Sequence, residues 1–146
     1  MSTKKCFRED FMSKINYLLI KGERSQTTIS DVEKNFRKYV FSQEEILKML
    51  DSSANPTDKI RAYYHLSIAA GSDYNDEFFS KLKCIFSEPD PDVQTEAMYA
   101  LSYVDWPEVQ ELVAKLSLTT YSDAVRQAAK LLLDAYKKVK EDGTWE

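Results

Sequence analysis

Apolar residues recur at helical spacing through most of the chain. The clearest run is Asp90-Pro91-Asp92-Val93-Gln94-Thr95-Glu96-Ala97-Met98-Tyr99-Ala100-Leu101-Ser102-Tyr103-Val104, in which Val93, Ala97, Ala100, Leu101 and Val104 share one helix face. The stripe is made largely of small residues, so a second helix can approach it closely. Similar stripes begin at Ile60-Arg61, within Pro56 to Leu66, and at Val125-Arg126, within Ser122 to Leu133. The starts Ile60, Val93 and Val125 lie 33 and 32 positions apart, a spacing that predicts helix pairs stacked in series.

The remaining pattern predicts five more helices. Phe7, Phe11, Ile15, Leu18 and Leu19 form a stripe from about Lys5 to Lys21, closed by Gly22. After a polar loop over 23–29, Ser30-Asp31-Val32-Glu33 reads as a capping box opening a helix to about Phe41, and Ser42-Gln43-Glu44-Glu45 as a second, opening a helix through Ile46, Leu47 and Leu50. The helix from Pro56 stops before Gly71. Another spans about Asp76 to Phe86, with Phe78, Phe79, Leu82, Ile85 and Phe86 apolar. Asp105 caps a helix that Pro107 enters, carrying Val109, Leu112, Val113 and Leu116, and the last helix runs from Asp123 to about Lys140. No Gly or Pro interrupts an apolar run, so punctuation and periodicity agree on an all-α fold of about eight helices. The chain is short enough to be one domain, 1–146: three N-terminal cap helices (1–52), helix pairs (56–140) and a frayed tail (141–146).

Residues 90–101 and 122–133 resemble the second helix of HEAT repeats, whose loose pattern is Asp, then Val-Arg, then Ala, then Ala-Leu. Residues 56–68 depart from it, since Tyr64 and Ser67 stand where the family has small residues. The resemblance covers 56–140. It implies a short HEAT-like α-solenoid serving as a protein-binding scaffold, and it implies no chemistry.

Composition narrows the class. Hydrophobic residues make up 43% and charged residues 30%, the balance of a soluble globular chain rather than a disordered one. No apolar run approaches the roughly 20 residues of a membrane span, and the basic N-terminus lacks the continuous apolar block of a secretory signal. The expected location is therefore cytoplasmic, with no membrane partner. Cys6 and Cys84 read as free thiols packed as small hydrophobes. Charge is segregated: residues 1–50 carry +3, residues 51–112 carry −8 and residues 113–146 carry +1, against −4 overall.

Catalytic groups are scarce. The single histidine, His65, lies inside a helix among aromatic residues, and no zinc-binding spacing exists, so neither metal nor cofactor is expected. Three scattered glycines cannot build a phosphate-cradling loop. Glu88-Pro89-Asp90-Pro91-Asp92 has two prolines and no Gly, so it is not a calcium loop. The acidic turns sit where carboxylates cap helices and offset their dipoles. The negative middle segment would repel nucleic-acid phosphates, so no nucleic-acid partner is expected.

Protein binding remains. Three turns carry Asp73, Tyr74, Asp76 and Glu77, then Glu88, Asp90 and Asp92, then Asp105, Trp106 and Glu108. Turns within helix pairs and turns between pairs fall on opposite edges of a stack, so two acidic edges are expected. Aromatic anchors ringed by charge have the composition of interface hot spots, with Trp106 read either as such an anchor or as a buried staple against the following helix. In size, charge and fold class the chain resembles bacterial immunity proteins. That resemblance implies a non-enzymatic inhibitor, monomeric when free. It would neutralise a cognate basic toxin, such as a nuclease, by covering its active site electrostatically. The alternative reading is an adaptor or assembly scaffold that binds through its concave helix face.

Overall fold

A computed structural model of the chain describes residues 4–9, 15–21, 23, 25–38 and 40–142. The chain is mostly helical, as the periodicity predicts. It divides into two compact units, 1–46 and 47–146.

The first unit opens with a correction. Where the apolar spacing predicts a helix over Lys5 to Lys21, the chain forms an antiparallel hairpin of β1 (Lys4–Glu9) and β2 (Asn16–Lys21), in register from Lys4↔Lys21 to Glu9↔Asn16. The predicted cap of three helices therefore lacks its first. β2 is a short apolar run, Tyr17-Leu18-Leu19-Ile20, and a run of that length suits a strand as well as a helix turn. Phe11, which seemed to continue a helical stripe, lies outside the described residues; Ile15 is buried.

Helix α1 spans Ser25–Phe36 and contacts β2. It begins five residues before the predicted box, so Ser30 sits mid-helix, where its hydroxyl donates to the Gln26 carbonyl at 3.1 Å instead of capping. The second box forms as predicted. The Ser42 amide donates to Glu45 Oε2 at 2.6 Å, and the Glu45 amide donates to Ser42 Oγ at 3.2 Å, opening α2 (Gln43–Met49).

The second unit is built of α3 (Pro56–Ala69), α4 (Asp76–Leu82), α5 (Pro91–Ala100), α6 (Pro107–Thr119) and α7 (Asp123–Asp142). Helices α4 and α5 tighten into 3-10 turns at Lys83–Ser87 and Leu101–Tyr103. Four helices start on side-chain caps. Asn55 Oδ1 accepts the Asp58 amide, Asn75 Oδ1 the Glu77 and Phe78 amides, Asp90 Oδ1 the Asp92 and Val93 amides, and Ser122 Oγ the Val125 amide. Asp105 does not cap α6: Trp106 holds that position with no side-chain cap, and the Asp105 carbonyl instead accepts the Gln110 side-chain amide at 3.0 Å. The predicted tail over 141–146 is helical through Asp142, and 143–146 lie outside the described residues.

Helices α3 and α5 lie in contact, as do α5 and α7, while α6 contacts both α7 and the 3-10 turn after α4. Ala97, Ala100, Ala128 and Ala129 are buried, which permits close helix approach, and Leu66, Leu82, Ile85, Leu101, Val109 and Val113 fill the layer between. Each such side chain contributes about 1.5–3 kcal/mol when fully buried. On α3 the buried set is Ala62, Tyr63, Tyr64, Leu66 and Ser67, whereas Ile60, the predicted start of that copy, is half-buried. Two long-range polar ties cross this core. Gln94 donates from Nε2 to the Ile85 carbonyl at 2.9 Å, and the Tyr136 hydroxyl donates to the Leu101 carbonyl at 2.8 Å.

Candidate functional site

The acidic turns of the second unit gather at two places. Helix α3 has 14 residues and is therefore about 20 Å long at 1.5 Å per residue. Glu88 bonds near its start, through Lys59 and Tyr63, and Tyr74 follows its end in the chain.

At the start of α3, Glu88 is not an outward-facing acid. Its side chain is 5% exposed and accepts Lys59 Nζ at 3.0 Å and the Tyr63 hydroxyl at 3.4 Å. Burial, then the neighbouring Glu88 and Cys84, push the Tyr63 phenol well above its usual range. Asp90 is half-buried as the cap of α5. Of this predicted trio only Asp92 projects fully into solvent.

Beyond the end of α3 the arrangement differs. Gly71, at φ 73°, takes the left-handed conformation that ends the helix and turns the chain toward Asn75. Tyr74 is 45% exposed, and its ring centroid lies 5.3 Å from Trp106 and 5.5 Å from Phe79. Trp106 is 2% exposed, so it is the buried staple rather than the solvent-facing anchor, and its Nε1–H has no acceptor among the described residues. The Tyr74 hydroxyl donates to Asp76 Oδ1 at 2.8 Å. That bond, then burial and the charges of Asp76 and Glu108, raises the phenol's pKa. Asp73, Asp76, Glu77, Asp105 and Glu108 are all exposed, and none pairs with a lysine or arginine among the described residues.

The cations close by on α4 and its 3-10 turn are engaged elsewhere. Lys81 bonds Asp51 at 2.6 Å, and Lys83 Nζ lies 5.2 Å from the Phe79 ring centroid. Sequence reading did not single out Phe79 and Lys83, although their i, i+4 spacing on a helical run is the signal that joins them. An open hollow of about 350 Å³ beside this edge is lined by Leu47, Asp76, Glu77, Ser80 and Lys81.

The remaining reactive groups are dispersed. His65 is half-buried; burial, then Arg61, holds its pKa below 6.5, favouring the neutral ring. Cys84 is exposed, not packed as predicted, with its Sγ 3.8 Å from the Ser80 carbonyl. Among the described residues no group of three His, Cys, Asp or Glu side chains could hold a metal ion, and no helix is long and apolar enough to cross a membrane. Leu118 (86%), Tyr121 (101%) and Leu131 (54%) are exposed apolar side chains on α6, α7 and the turn between them, outside the predicted stripes. No family model matches the chain, and neither does any curated protein or solved structure.

Proposed function

We propose that this chain is a non-enzymatic binding protein for a basic protein partner, captured through the Tyr74 edge. The observation that carries the reading is that the nearby cations, Lys81 and Lys83, are engaged with other groups. Five exposed carboxylates lie within three residues of Tyr74 or of the Trp106 it packs on, with no lysine or arginine paired to them among the described residues. Such a field speeds encounter with a positively charged surface and favours it over neutral ones.

The reading extends to architecture and role. The contacts of α3 with α5, α5 with α7, and α6 with the turn after α4 are those that two rows of a HEAT-like solenoid would make. A basic toxin domain, such as a nuclease with a phosphate-binding cleft, is the partner that an acidic inhibitor of this size suits. A monomeric cytoplasmic immunity protein is the form that role takes.

Binding kinetics against a basic toxin domain encoded beside this chain test the proposal. Replacing Asp73, Asp76 and Glu108 together by Lys should lower the association rate at least tenfold in 50 mM salt and flatten its salt dependence. An association rate indifferent to both salt and these charges removes the proposal. The adaptor reading draws on Tyr99, 40% exposed on α5, and Leu131 on α7. It gains ground if Tyr99→Ala weakens binding while the charge reversals do not.

A further inference from the structure

The edge beyond α3 has more than charge. Tyr74, Phe79 and Trp106 form one aromatic cluster, and that cluster already holds a cation of its own: the Lys83 ammonium lies 5.2 Å from the Phe79 ring centroid. Tyr74 is the member of the cluster with ring surface left open, at 45% exposure, while Trp106 supports it from within the fold. The Tyr74 hydroxyl is committed to Asp76 Oδ1 at 2.8 Å. That bond fixes the phenol and leaves Asp76 Oδ2 as an acceptor beside the ring, while the exposed Glu108 follows by two residues the Trp106 on which the ring packs. The local lysines do not compete, because Lys81 is bonded to Asp51 and Lys83 covers Phe79.

A planar guanidinium matches this arrangement better than an ammonium. It can stack on an aromatic face and at the same time donate in its own plane to carboxylates at the ring's margin. An ammonium is compact and strongly hydrated, and gives up more water to do either. We propose that the Tyr74 edge is an arginine receptor: the guanidinium of an arginine on the basic partner stacks on the open face of Tyr74 and donates to Asp76 and Glu108. This rests on the reading of the chain as a binder of basic protein, and it names the residue type by which that partner is held.

Nona-arginine and nona-lysine peptides separate the two claims. The chain has two tryptophans, Trp106 and Trp145. In a Trp145→Phe variant the emission therefore comes from Trp106, directly behind Tyr74. Titration in 50 mM salt should shift that emission with nona-arginine and give a Kd about two- to fivefold tighter than with nona-lysine, the gain expected of a cation over an exposed ring. Tyr74→Leu, which keeps apolar bulk over Trp106, should abolish the preference by weakening nona-arginine more than nona-lysine. Glu108→Gln should weaken both peptides, and nona-arginine more. Equal affinities for the two peptides, or a preference that survives Tyr74→Leu, overturn the arginine receptor while leaving a purely electrostatic basic-protein binder standing. Failure of both peptides to bind overturns both. A circular-dichroism melt of each variant, matching the parent, assigns the change to the site rather than to unfolding.

Discussion

The two acidic edges look alike in sequence and behave oppositely in the fold. Glu88-Pro89-Asp90-Pro91-Asp92 and Asp105-Trp106-Pro107-Glu108 both place carboxylates around a proline-opened helix start. In the first, Glu88 is buried against Lys59 and Tyr63, and Asp90 caps α5. In the second, Asp105 and Glu108 stay in solvent and the aromatic residue goes inside. Counting acids in a turn therefore says little about what the turn offers a partner. What matters is whether the fold supplies a cation and an amide to consume them.

The contrast can be broken by substitution. Trp106→Ala should have the largest effect, destabilising the second unit by about 3–5 kcal/mol in urea unfolding, because a fully buried indole leaves a cavity behind it. A loss under about 1 kcal/mol would show that Trp106 does not support the Tyr74 edge. Glu88→Gln should come next, at about 1–2 kcal/mol, since it leaves Lys59 and the Tyr63 hydroxyl without their charged acceptor. Glu108→Gln should change stability by no more than about 0.5 kcal/mol, as expected for an exposed group without a structural partner. Equal losses at Glu88 and Glu108 would erase the distinction between the edges. Asp51→Asn should also be small in stability, below about 0.5 kcal/mol and less at high salt, since Lys81–Asp51 is an exposed pair. It should nonetheless weaken binding of a basic probe, because the freed Lys81 lies beside Asp76 and Glu77 in the lining of the hollow.

Legibility followed the length of the signal. The helices after Gln43 are readable from their apolar spacing, from the Ser42 box and from Pro56, Pro91 and Pro107, which open three of them. Ser30-Asp31-Val32-Glu33 satisfies the same rule as Ser42-Gln43-Glu44-Glu45 yet lies inside α1, because a cap forms only where the backbone leaves the helix, and four letters do not specify that. The N-terminal hairpin was missed for a related reason. Phe7, Ile15 and Leu19 fit a 3.6-residue period only if the chain between Glu9 and Asn16 is itself helical, and strand pairing of Lys4–Glu9 with Asn16–Lys21 competes with that choice through contacts distant in sequence. For the acidic turns the sequence names the carboxylates but not their exposure. Which acid faces water depended on Lys59 reaching Glu88 across 29 positions, and no local pattern announces that contact.

The two phenols that tie distant segments together set a chemical limit of their own. Tyr63 reaches Glu88, and Tyr136 reaches the Leu101 carbonyl; burial chiefly, with Glu88 and Asp105 adding to it, keeps both protonated in the fold beyond the pH at which a free tyrosine ionises. Above about pH 10 the unfolded chain sheds these protons and the folded chain retains them, so stability is whole below that point and drains away as alkali rises. Alkali thus acts on these two ties from the unfolded side, claiming their protons once the phenols are released to water.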